Sequence, residues 1–175
     1  AYLAPTRRHD AAIVAYEEPP SRTLALTLNP LPLIWGRLSA NVELLFLPHH
    51  SLVVSPNVLL SNVNRGGTLG AALGFAQQSS GGFGGEVGYH YWWNGERTLR
   101  GPFFGPSLLG GITTDATAAT TTSAQPYWGA ALDIGDQEVL PGGFTAGAGV
   151  GIGYVHMDSS GSVFPRLLAQ LGWSF

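Results

Sequence analysis

From residue 144 the chain reads Phe144-Thr145-Ala146-Gly147-Ala148-Gly149-Val150-Gly151-Ile152-Gly153-Tyr154-Val155. In an extended chain Phe144, Ala146, Ala148, Val150, Ile152 and Tyr154 share one face, and Gly147, Gly149, Gly151 and Gly153 share the other. A strict period of two is the mark of a strand. A phosphate-binding loop would need G-x-G-x-x-G between a strand and a helix, and here the spacing never turns helical. The segment is therefore a strand with an apolar face and a nearly bare one.

The same rhythm extends outward along the chain. Leu24, Leu26 and Leu28 alternate with Thr23, Ala25, Thr27 and Asn29; Leu38, Ala40, Val42, Leu44 and Phe46 alternate with Arg37, Ser39, Asn41, Glu43 and Leu45. Within 50–60, Leu52, Val54, Val58 and Leu60 oppose Val53, Ser55 and Asn57. Within 83–93, Val87, Tyr89, Tyr91 and Trp93 oppose Glu86, Gly88, His90 and Trp92. Further strands are predicted at 102–113, where the phase is ambiguous, at 127–135 and at 163–175. With 144–155 this makes eight.

Composition narrows the setting. The 175 residues include 25 Gly, no Cys and only 11% charged residues, less than half the charge of an average soluble domain. Without Cys there are no disulfides, thiolate zinc sites or Cys nucleophiles. All eight cations are Arg, which excludes a Lys Schiff base, and a net charge of -3 offers no footprint for nucleic acid. The longest uncharged stretches, 44–64 and 66–85, are broken by Pro, His, Asn or repeated Gly, so neither reads as a membrane-spanning helix. No signal peptide is visible, and the start at Ala1 reads as a mature, processed end.

Eight strands of about ten residues with alternating polarity match a transmembrane β-barrel. A soluble barrel of this size would turn its charged face to water and bury its apolar rows. Arg37, Glu43, Glu86 and Arg166 would make a meagre solvent surface, whereas inside a narrow barrel the same charges can pair. The expected fold is all-β, an eight-stranded antiparallel up-and-down transmembrane β-barrel over 22–175, preceded by a polar tail at 1–21. Connections at 29–36, 61–82, 114–126 and 156–162 fall on one side and shorter ones on the other. Because such barrels have short periplasmic turns, this predicts periplasmic termini. Aromatic residues sort to strand ends, with Trp35, Trp92, Trp93, Trp128, Tyr154 and Trp173 expected in two interfacial girdles.

The last residues, Leu167-Leu168-Ala169-Gln170-Leu171-Gly172-Trp173-Ser174-Phe175, resemble the terminal strand of bacterial outer-membrane proteins, with Leu167, Leu171, Trp173 and Phe175 on alternate positions. The layout is similar to the small OmpA/OmpX-type barrels. The segments Asn29-Pro30-Leu31, Gly36-Arg37-Leu38-Ser39 and Gly101-Pro102-Phe103-Phe104-Gly105-Pro106 resemble an uncharacterised subgroup of them. The resemblance implies a Gram-negative outer-membrane location, outer-membrane lipids as surroundings and recognition by the outer-membrane insertion machinery. It implies neither cofactor nor metal.

An eight-stranded interior is wide enough for packed side chains or one small ligand. Arg37, Glu43, Glu86, His90 and Arg166 form the expected luminal polar cluster, with Asn41, Asn57 and Gln170 nearby and Arg166 paired to Glu43 or Glu86. The leading expectation is a non-enzymatic envelope scaffold or partner subunit, contacted through its outer loops or through 1–20. The alternative is a lipid-modifying enzyme similar to lipid A deacylases, whose nucleophile would need an adjacent base. His156 with Ser159 or Ser160 and Asp158 is the best local set, although its spacing departs from the His-x-Ser-Asn pattern of that family. Glu43 with Glu86 is a weaker acid/base pair, and His49-His50 reads as a solvated turn rather than a metal site. A soluble barrel carrying a small ligand is the third reading.

Overall fold

A computed structural model describes residues 21–31, 37–60, 81–94, 98–115 and 123–175. Eight strands follow in chain order: β1 (Leu24–Asn29), β2 (Arg37–Leu47), β3 (His50–Leu59), β4 (Gly81–Trp92), β5 (Gly101–Asp115), β6 (Ser123–Val139), β7 (Phe144–Met157) and β8 (Ser160–Ser174). Each pairs antiparallel with the next, and β8 pairs with β1 to close an up-and-down barrel. At the seam Ala25 lies opposite Ser174 and Leu28 opposite Leu171. The last residue completes the closure: Thr23 donates to the Phe175 carbonyl at 2.8 Å, and the Phe175 amide donates to the Leu24 carbonyl at 2.7 Å.

Period-two alternation places the side chains as expected. The glycine face of β7 turns inward, where space is short. A Cβ on Gly151 would lie 1.9 Å from Asp133 Oδ1, and one on Gly153 would lie 2.6 Å from the Phe164 ring. The bare face of β7 is thus the room into which β6 and β8 extend their side chains. The ambiguous phase of β5 resolves with Phe103 and Ser107 buried and Phe104 and Leu108 exposed.

Strand lengths depart from the sequence reading mainly at β6, expected over 127–135. It runs to Ser123 and Val139 because β5 and β7 on either side supply partners well beyond the alternating stretch, including Asp115 for Ser123 and Thr145 for Val139. The anticipated loop 156–162 shrinks to the two-residue turn Asp158-Ser159, with Asp158 at φ 55°. On that far rim the connections are 30–36, 60–80, 116–122 and 158–159; on the rim bearing the chain ends they are 48–49, 93–100 and 140–143. The length asymmetry therefore rests mainly on 60–80.

The barrel is apolar outside and polar inside. Leu26, Val42, Leu52, Val87, Leu108, Ile134, Val150, Ile152 and Leu167 are all exposed large hydrophobics. Thr27, Asn41, Glu43, Ser55, Asn57, Glu86, Asp133 and Gln170 are buried. Charges that face outward on described side chains lie toward the rims, at Arg100, Asp136 and Glu138 on one and Asp158 on the other. Phe46, Tyr91, Trp93, Phe104, Phe144, Trp173 and Phe175 ring the chain-end rim, and Phe83, Trp128 and Tyr154 the far rim. Of the expected girdle, Trp92 turns inward. Trp92 is 1% exposed; it lies on the luminal face with His90, and the aromatic rim residue is its neighbour Trp93. Trp35 falls outside the described residues, as does the expected tail apart from an exposed Ser21.

Candidate functional site

The lumen closes from the bottom upward. At the chain-end rim Ala25, Leu45, Trp92, Leu99 and Phe103 form a buried apolar cluster. Leu99 comes from the connection between β4 and β5, which turns inward so that Leu99 is wholly buried. Gln137 Nε2 donates to its carbonyl at 2.7 Å. Alternation within strands cannot reveal such a plug, because Leu99 belongs to none.

Above the plug lies a hydrogen-bonded chain across β2, β3 and β4. Trp92 Nε1 donates to Ser51 Oγ at 2.9 Å, and Ser51 Oγ donates to Glu43 Oε1 at 2.5 Å. His90 Nδ1 donates to the same carboxylate oxygen at 2.9 Å. The His90 ring stacks on Phe103 with centroids 4.4 Å apart. Glu43 sits between serine and histidine and accepts from both. This order of groups ties β2, β3 and β4 together within the lumen.

The next layer crosses the barrel. Arg166 on β8 donates from Nη2 to Glu86 Oε1 on β4 at 2.8 Å, and its Nε lies 3.1 Å from Asp133 Oδ1 on β6. Because β4 and β8 are four strands apart in a ring of eight, this contact spans the lumen. Ser107 Oγ adds a 2.6 Å hydrogen bond to Glu86 Oε1, and Arg37 Nη2 stands 3.9 Å from Glu86 Oε2. The two guanidiniums and two carboxylates balance in charge. An unpaired charge here would be expensive, so the arrangement is a strut.

Of the two partners anticipated for Arg166, Glu86 takes the contact, and Glu43 is engaged by His90 and Ser51 instead. Asp133 was not among the anticipated residues. Its signal was available: in Ala131-Leu132-Asp133-Ile134-Gly135, the flanking Leu132 and Ile134 face outward, which turns Asp133 inward. The terminal residues Leu167, Leu171, Trp173 and Phe175 all face outward and are exposed.

At the far rim, His156 stacks against Trp128 with centroids 5.2 Å apart, and its Nδ1 is 3.4 Å from the Tyr154 hydroxyl. Ser160 Oγ donates to the Met157 carbonyl at 3.4 Å. The ring and hydroxyl of the anticipated pair thus address different partners. At the other rim, His49 has φ 74°, and its Nδ1 donates to the Trp92 carbonyl at 2.6 Å. His50 Nδ1 is 2.5 Å from the Tyr89 hydroxyl. No group of three or more metal-ligating side chains occurs among the described residues.

Comparison with known proteins finds no matching family model, no matching curated protein and no matching solved structure. The chain is an eight-stranded closed antiparallel barrel, an architecture compatible with the small outer-membrane barrels. At mid-lumen Arg37 and Arg166 face Glu86 and Asp133.

Proposed function

We propose that this chain is an integral outer-membrane barrel that serves the bacterial envelope as a scaffold or partner subunit and does not act as an open pore. The observation that carries this reading is the inverted polarity: a wall of exposed apolar side chains bounded by aromatic rims, around a core of paired charges. Ten residue steps separate Phe144 at one rim from Tyr154 at the other. At ~3.3 Å per step and a tilt of about 40° they rise about 25 Å along the barrel axis, the height of the apolar band on barrels of this kind.

The luminal strut and apolar plug support a closed interior, and they direct attention to surfaces. Periplasmic termini agree with the long connection 60–80 on the opposite rim. Insertion machinery would act on the outward row Leu167, Leu171, Trp173 and Phe175, and an envelope partner would meet the outer connections or residues 1–20. The test is electrophoresis of the detergent-folded chain, unboiled against boiled, beside partition between detergent and buffer. Expected are a heat-dependent shift and full recovery in detergent. A monodisperse chain in detergent-free buffer would overturn the proposal in favour of a soluble ligand-carrying barrel.

A further inference from the structure

We draw no further inference here: the strongest candidate, the shallow apolar groove on the outer wall of β3 to β6 lined by Leu52, Val87, Tyr89, Pro106, Leu108 and Ala130, is an unpartnered face of the barrel, and nothing in the structure shows what covers it.

Discussion

Replacing Arg166 by Met keeps much of the aliphatic stem and removes the guanidinium that spans the lumen. Glu86 would retain Ser107 at 2.6 Å and Arg37 at 3.9 Å. Asp133, 4% exposed, would lose the one ion-pair partner it has among the described residues. Removing one partner of a buried pair typically costs about 3–5 kcal/mol, because the remaining charge is left uncompensated. Two carboxylates are stranded here, but Glu86 is partly compensated, so most of the loss falls on Asp133. At an m-value of about 2 kcal/mol/M, a loss of about 4 kcal/mol lowers the urea midpoint by about 2 M. The assay is equilibrium urea unfolding in lipid vesicles, followed by tryptophan fluorescence. A second substitution, Asp133→Asn, removes the stranded charge and should restore roughly half of the loss in the Arg166→Met background, so the coupling in the double-mutant cycle is that recovery of about 2 kcal/mol plus the cost of Asp133→Asn alone. A midpoint within about 0.5 M of wild type for Arg166→Met, or strictly additive effects, would refute the strut.

Other substitutions probe separate parts of the barrel. Val150→Arg places a charge mid-way along the exposed apolar face of β7, 54% exposed in the wild type; in a bilayer it should cost about 2–4 kcal/mol of unfolding free energy, whereas a barrel surrounded by water would scarcely register it. Leu99→Ala empties the centre of the apolar plug and should cost about 2–5 kcal/mol in the same unfolding assay; an effect below about 1 kcal/mol would mean that the connection does not seal the rim. Ser51→Ala removes the acceptor of the Trp92 indole and one donor to Glu43. It should cost about 1–3 kcal/mol and shift the Trp92 emission, and an unchanged spectrum would disprove the luminal hydrogen-bonded chain.

Much of this architecture is legible along the chain, because side-chain direction in a strand is a local matter. Gly147 to Gly153, Leu24 to Leu28 and Leu38 to Phe46 each announce their faces without reference to anything distant. The same rule turns Arg37, Glu43, Glu86, His90 and Arg166 inward, and it turns Asp133 and Trp92 inward with them. Trp92 shows why composition misleads: a tryptophan near a strand end fits a rim girdle by type, yet its parity with His90 sends it into the lumen, where Ser51 receives its N–H. The ends of β6 were not legible, since Pro126 and Asp136 to Glu138 interrupt the alternating pattern. They are held extended by ladder partners on β5 and β7.

Alternation thus establishes eight strands, the inside-out polarity and the list of charges that must share a lumen, for the steric reason that successive side chains of an extended chain point to opposite faces. Which of those charges meet is a different kind of fact. Arg166 and Glu86 are 80 positions apart, and they touch because closure of β8 onto β1 sets one circumference, one stagger and therefore one height for each inward residue. Glu43 was an equally good partner by type, but it lies at the level of Ser51 and His90, nearer the plugged rim. Leu99 is buried because the connection between β4 and β5 turns into the barrel end, where Gln137 holds its carbonyl. Pairings of this sort depend on the register of every strand around the ring, and no local pattern encodes them.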